Sequence, residues 1–266
     1  MRTALVTGAS SGIGAACAQR LQASGWRVFA GVRREGDAPR GTEEVLFDVT
    51  SEDQIRAAAR RIEDVEALIN NAGIAIAMPL EFIPLDELRR QLDVNLVGQV
   101  AVTQAFLPHL RRSRGRIVFV ASIAGKSALP FLGPYAASKH ALEAVADSLR
   151  IEVQPFGIAV SLVEPGTIKT PIWEKSAALA DTLANAAPAA LRELYGERIA
   201  AFRRIAAKRG ARGASVEAVA RAVEEALTRE RPRTRKLVGR DAKLRSGVEW
   251  LPARLRDSVY ERVLLR

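Results

Sequence analysis

The tightest constraint on this chain lies at its start. A short apolar run over residues 3–6 (Thr-Ala-Leu-Val) leads into Thr7-Gly8-Ala9-Ser10-Ser11-Gly12-Ile13-Gly14, and a helical pattern follows over Ala15–Ser24. Strand, glycine turn and helix in that order form a dinucleotide-binding start. Glycines let the backbone pass close to a pyrophosphate, and the helix N-terminus presents free N–H groups and its positive dipole end. The glycine spacing is Gly-x-x-x-Gly-x-Gly, not Gly-x-Gly-x-x-Gly.

The same alternation continues along the chain. Strand patterns fall at 27–32, 45–47, 66–69, 115–120, 158–163 and 236–238, with helical patterns at 84–110, from Pro134 onward, and at 216–228. This predicts one α/β domain over 1–266, a parallel sheet of about seven strands with helices on both faces. Gly36, Pro39 and Gly41 leave little room for a helix in the second crossover. Residues 171–212 are Ala-rich and helical in pattern, and follow a strand's carboxyl end, where a lid over the crevice would sit. Over 241–266, Leu244, Val248, Leu251, Leu255, Val259 and Val263 recur three or four apart, opposite Lys243, Arg245, Arg254, Arg256 and Arg262. This predicts a basic amphipathic extension, with Pro252 at a helix start. Docking on its own domain or a sister subunit is favoured over a membrane surface.

Charge and cysteine content narrow the classes. The net charge is +10, yet residues 1–202 carry 22 basic and 22 acidic side chains, so residues 203–266 hold the whole excess, 18 against 8. Such a region suits a solvated face, anionic lipid or an acidic carrier. Stacking aromatics are not interleaved with the cations, so no nucleic acid is expected. A single cysteine, Cys17, excludes an internal disulfide and reads as a packing residue, and a cytoplasmic protein is expected. The first strand begins almost at Met1, leaving no room for a signal peptide. No metal is expected.

The chemistry centres on Tyr135-Ala-Ala-Ser-Lys139. On a helix the two functional residues share a face, and an ammonium beside a phenol favours the phenolate. Arg33 and Arg34 follow the second strand with no carboxylate until Glu35. An arginine there accommodates the 2′-phosphate of NADP. Asp48, at the end of strand three, is placed either to accept from an adenine amino group or to cap the helix near Ser51. Asn70-Asn71-Ala72-Gly73 ends strand four, Asn95 lies inside the long helical pattern, and Ser122 follows strand five. His109 is read as a partner of its helix's C-terminal dipole and His140 as structural.

Taken together, Thr7-Gly8-x-x-x-Gly12-x-Gly14, Asn70-Asn71-Ala72-Gly73, Asn95, Ser122, Tyr135-x-x-x-Lys139 and Pro165-Gly166 resemble the short-chain dehydrogenase/reductase family over nearly the whole chain. The stretches 28–33 and 135–141 look most like its steroid and retinoid dehydrogenase subgroup. The resemblance implies a Rossmann-type doubly wound sheet and an NADP-preferring enzyme, with NAD possible, acting on a lipophilic secondary alcohol or ketone. It implies Tyr135 as acid/base, Lys139 lowering its pKa and binding the nicotinamide ribose, Ser122 on the reacting oxygen, and Asn95 holding a water that links Lys139 to solvent. Gly8, Ser10, Ser11, Gly12 and Ile13 would line the phosphates. Arg33, Asp48, Val49, Asn71, Ala72 and Gly73 would lie along the adenosine, and Pro165, Gly166, Ile168 and Thr170 at the nicotinamide end. Ile76, Met78, Leu129, Phe131 and Trp173 are candidate apolar walls or ordinary core. Members commonly pair through their fifth and sixth helices, which implies a homodimer or homotetramer. Two rival expectations are a reductase of carrier-bound 3-oxoacyl groups and a non-catalytic NADP-sensing protein.

Overall fold

The computed structural model describes residues 1–264. Seven strands form one sheet: β1 (Thr3–Thr7), β2 (Arg27–Val32), β3 (Glu43–Leu46), β4 (Ala67–Asn70), β5 (Arg116–Val120), β6 (Ala159–Pro165) and β7 (Arg235–Val238). Their order is β3-β2-β1-β4-β5-β6-β7, and every neighbouring pair is parallel. The winding reverses between β1 and β4, so a ligand crevice opens there at the carboxyl edge.

The helices are α1 (Gly12–Ala23), α2 (Glu52–Arg61), α3 (Leu85–Leu92), α4 (Gly98–Ser113), α5 (Gly133–Val153), α6 (Ile172–Ala186), α7 (Ala190–Ala211), α8 (Val216–Thr228), α9 (Arg240–Val248) and α10 (Ala253–Leu264). One face of the sheet is covered by α1 and α8, which bury Leu21 and Val223 against Val28 and Val118. The other is covered by α2, α4 and α5, which bury Ile55, Phe106 and Leu142 against Phe119 and Leu162. A sheet covered on both sides needs apolar residues at successive positions, which is why 4–6 and 117–120 read as unbroken apolar runs.

Several expectations are revised. The helix expected over 84–110 carries a π turn, Asp93–Val97, between α3 and α4, and Asn95 in that turn is fully buried. The helical stretch 171–212 is two helices, parted at 187–189, where Pro188 lacks the N–H that would continue the ladder. The C-terminal extension is likewise two helices, with Pro252 just before α10; residues 265 and 266 lie outside the described residues. Most of its apolar stripe does not pack on its own domain: Leu244, Leu251, Leu255, Val259 and Val263 are exposed in the single chain. Ala242 and Tyr260 are buried instead, and Arg245 hydrogen-bonds the buried Ser127. Polar anchoring overrode hydrophobic periodicity. His109 is not a dipole partner: its Nδ1 meets the Glu63 carbonyl at 3.0 Å, and burial, then Arg112, lower its pKa and so disfavour the cation.

Phe106 fills the core between α4 and the sheet and has no exposed surface. Phe106→Ala is expected to cost about 3–5 kcal/mol of unfolding free energy. Urea unfolding checks this as a lower midpoint at unchanged slope.

Candidate active site

The glycine turn after β1 is shaped by close approaches. Gly8 has φ +64°, and a Cβ there would lie 2.8 Å from Ala72 Cα. A Cβ on Gly14 would lie 2.2 Å from the Gly8 carbonyl oxygen. Asn71 Nδ2 donates to the carbonyls of Thr7 and Gly8 at 2.9 and 3.2 Å, and Thr7 Oγ1 accepts from the N–H groups of Asn71 and Ala72. The end of β4 is thereby stitched to the turn. At the start of α1, Ser11 makes no side-chain cap, and the first turn holds no acidic residue. Ser10 is exposed and Ser11 half-buried beside these N–H groups. An uncapped helix end flanked by free hydroxyls fits a pyrophosphate. A Cβ on Gly12 would touch Thr170 at 3.5 Å, so the chain after β6 returns to this turn.

At the adenosine end, Arg33 follows β2 with an exposed side chain 3.8 Å from the Asp48 carboxylate. Asp48 Oδ1 accepts from the N–H and hydroxyl of Thr50 at 2.8 and 2.7 Å. The cap of α2 is Ser51, not Asp48. Val49 is buried, and its carbonyl oxygen would lie 2.5 Å from a Cβ on Gly98.

Tyr135, Ser122 and Lys139 meet at the carboxyl end of β5. All three are buried. Pro134 sits at the start of α5, where its missing N–H costs nothing, and carries Tyr135 into the first turn. Lys139 Nζ donates to the Val120 carbonyl at 2.9 Å and stands 6.0 Å from the Tyr135 ring centroid. Ser122 Oγ accepts from the Ala124 N–H at 3.1 Å. Trp173 packs edge-on against Tyr135, with centroids 6.1 Å apart. Asn95 Nδ2 donates to the Ile74 carbonyl and to Ser138 Oγ, and its Oδ1 accepts from the Ile74 N–H. Both Nδ2 donors are spent, while Oδ1 keeps a lone pair that a water can use.

The electrostatics differ from the expected pattern. Burial holds the Tyr135 phenol above its ordinary pKa, outweighing the downward pull of Ser122 and Arg245. Burial also brings the Lys139 ammonium down to about 8, against an upward pull from Glu143. For the phenol in this structure desolvation outweighs the neighbouring groups. Glu143, one turn beyond Lys139, is pushed up to about 7 by burial and by Glu164.

Pro165 ends β6, and the Gly166 N–H donates to the Val238 carbonyl at 2.8 Å. Ile168 is buried and bridges to Ala214. Of the expected apolar walls, Trp173 alone joins the Tyr135 cluster. Ile76 and Met78 pack with Leu191 of α7 as core. Phe131 meets Tyr195 and Phe202 of α7 edge-on, at 6.4 and 5.5 Å.

Two sets of residues escaped the sequence reading. Gln91 and Gln99 flank Asn95 at four-residue spacing. Gln91 holds Ile74 and Ile76, and Gln99 Nε2 donates to the Ala72 carbonyl at 2.8 Å. Three amides four apart on one helical face were the available signal. The second set, Asp241, Arg245 and Ser127, had no local signal.

The comparisons agree with this geometry. Residues 2–180 match the family model described as short chain dehydrogenase. The chain belongs to the short-chain dehydrogenase family. It is 34% identical over 279 residues to the NADPH-dependent 3-dehydrocapnine reductase of Ornithobacterium rhinotracheale, covering 98% of this chain and 96% of the relative. It is 36% identical to 17-beta-hydroxysteroid dehydrogenase type 6 of Homo sapiens, covering 97% and 87%. A short-chain dehydrogenase from Burkholderia cenocepacia J2315, solved in complex with NADP, superposes with a TM-score of 0.76 at 28% identity over 100% of both chains. The chain is accordingly an oxidoreductase of the short-chain dehydrogenase/reductase type, with steroid- and retinol-dehydrogenase-like relatives.

Glu143 supplies a pH test. Its folded pKa is raised, so the folded state binds more protons than the unfolded one between about 4.5 and 7, and stability falls as pH rises through that window. Glu143→Gln removes the titration. The melting temperature of the variant relative to wild type is expected to rise between pH 5 and pH 8, and a flat difference would contradict the assignment.

Proposed function

We propose that this short-chain dehydrogenase is an NADP-preferring enzyme that interconverts a secondary alcohol and a ketone on a lipophilic substrate. One observation carries the reading: a buried phenol and a serine hydroxyl, with a lysine one turn along, at the sheet edge beside an uncapped glycine turn. Reduced nicotinamide, when bound, supplies the hydride. Gly8, Ser10, Ser11, Gly12 and Ile13 hold the phosphates, and Asn71, Ala72 and Gly73 border the adenosine side with Asp48 and Val49. Pro165, Gly166, Ile168 and Thr170 flank the nicotinamide side.

The protein manages the proton. In reduction, the Tyr135 hydroxyl donates its proton to the carbonyl oxygen as that oxygen gains charge. Ser122 donates a hydrogen bond to the same oxygen and steadies it. Lys139 offers its ammonium to the ribose hydroxyls and to the phenolate left behind. In oxidation the phenolate takes the alcohol proton back. Burial raises the phenol's pKa, so Tyr135 carries the proton it would donate in reduction. Asn95 contributes by fixing Ser138, the neighbour of Lys139, to the 71–74 segment.

Arg33 supports NADP. It is exposed, with only a long 3.8 Å ion pair to Asp48 to give up for a 2′-phosphate, and Val32 offers no carboxylate to a ribose 2′-hydroxyl. Trp173 beside Tyr135, with the apolar undersides of α6 and α7, supports a lipophilic substrate and a lid role for 171–212. The hydroxysteroid relative points the same way. Among the described residues no helix is long and apolar enough to cross a membrane. A homodimer or homotetramer belongs to the same proposal, with light scattering as its measurement.

Tyr135→Phe is expected to lower ketone reduction by about 10²–10⁴-fold. Fluorescence titration should show NADPH binding retained, and undiminished turnover on a ketone panel would reject Tyr135 as the donor. Arg33→Ala is expected to raise the KM for NADPH while leaving that for NADH nearly unchanged. An equal effect on both would count against the 2′-phosphate contact.

A further inference from the structure

We propose that α9 is a positioning element of the active site: Asp241 and Arg245, one turn apart, hold the Pro165–Thr167 loop and the Ser122 loop in register. The inference rests on Tyr135 being the proton donor.

Asp241 holds the first loop. Its Oδ2 accepts from the Thr167 N–H at 2.6 Å. A Cβ on Gly166 would lie 2.2 Å from its Oδ1, so the carboxylate occupies the space that the glycine leaves. Arg245 holds the second loop. Its Nη2 donates to the Ser127 carbonyl at 2.8 Å and to Ser127 Oγ at 3.0 Å, and its Nε also reaches Oγ at 3.2 Å. Ser127 is fully buried, and its N–H donates to the Ile123 carbonyl at 3.0 Å. Ile123 directly follows Ser122, so Arg245 is one residue removed from the loop that presents the Ser122 hydroxyl.

The second helix braces the first. Tyr260 of α10 is buried with its hydroxyl 2.7 Å from Ser127 Oγ, and that hydroxyl donates to Glu249 Oε1 at 2.5 Å. Arg256 closes the chain on Glu249 at 3.1 Å. The Ser122 loop is also tied to the end of β6, by Lys126 on Glu164 at 2.7 Å. A segment serving stability alone would turn its leucine and valine stripe inward. Here most of that stripe is left off the chain's own domain, and the polar residues point at the loops.

Arg245 faces Tyr260, Asp241 and Arg209. Tyr135 neighbours the Ser122 hydroxyl and Lys139, 6.0 Å from its ring centroid, and Arg245 acts on it as a positive charge at longer range. Glu143, pushed up to about 7, faces Lys139, Glu164, Arg235 and Lys126 and is the same in every variant compared. A cation near the phenol favours the phenolate. Its removal moves the acid limb of alcohol oxidation, where the phenolate must form, to higher pH.

The test uses the full chain with NADP(H) and an alcohol–ketone pair turned over by the wild type. Arg245→Leu is expected to lose roughly 10- to 100-fold in kcat, with the acid limb shifted upward and the KM for NADPH held. Arg245→Lys, which keeps the charge without the fork, is expected to restore the limb but only part of kcat. Tyr260→Phe, which keeps the cation and the packing, is expected to lower kcat with the limb unmoved. Should the leucine variant not fold, Arg245→Gln carries the same expectations. Folded Arg245 variants with wild-type kcat and an unmoved limb overturn the inference. Tyr135→Phe runs alongside: if it stays active, the proton-donor reading fails. If it is inactive while the Arg245 limb stays put, only the role of α9 fails.

Discussion

The site depends on one hydrogen bond between a helix and a strand end. Lys139 Nζ donates to the Val120 carbonyl at 2.9 Å, joining the second turn of α5 to the carboxyl edge of β5. A lysine buried to this degree must find acceptors or lose its proton. The strand's last carbonyl meets that need and, in doing so, sets the rotation of α5. Tyr135 lies one turn earlier on the same face, so the same contact fixes where the phenol stands relative to Ser122. Glu143, one turn later, supplies opposite charge. Three residues at four-residue spacing thus form a line from phenol to ammonium to carboxylate.

The helix opposite provides a second line of the same spacing. Gln91, Asn95 and Gln99 satisfy backbone groups of the 72–76 segment, which leaves β4 with no ladder partner of its own. Irregular backbone at the crevice has to be paid for in hydrogen bonds. Side-chain amides suit this because each offers both donors and an acceptor. The π turn at 93–97 shifts the helical phase so that Asn95 also reaches Ser138 on α5, and the two lines become one network.

Much of this was legible in the residues because it is local. The Tyr135–Lys139 spacing, the glycines after β1 and the short second crossover are statements about neighbours in the chain, and each stands where it was expected. Ser122 and Asn71 were legible by position, since residues at the carboxyl ends of parallel strands border the crevice. What failed was long-range. The contacts Arg245–Ser127 and Asp241–Thr167 span 118 and 74 positions, and no periodicity announces them. Periodicity gave the spacing of Leu244, Leu255 and Val259 but not their place, since they do not pack on their own domain. The desolvation of the phenol was hidden for a related reason. Spacing shows which charges are near, whereas desolvation depends on everything packed around them.

The buried charges make sense only as a set. Glu164 is wholly buried, accepts from Lys126 at 2.7 Å and is ion-paired with Arg235 at 3.3 Å, while Arg235 also donates to Glu143 and Asp147. Such pairs stabilise a fold poorly, since desolvation offsets most of their attraction, and removing one partner strands the other. Their placement between β6, β7 and α5 suggests a different use. Arg235, Lys126 and Lys139 would repel one another here if left alone, and Glu143, Glu164 and Asp147 stand among them, so the interior between β6, β7 and α5 stays close to neutral. The same balance explains why Glu143, with one oxygen lacking a hydrogen-bond partner, sits near its titration point. It is the member of the set whose charge is least firmly held, and it is the member next to Lys139.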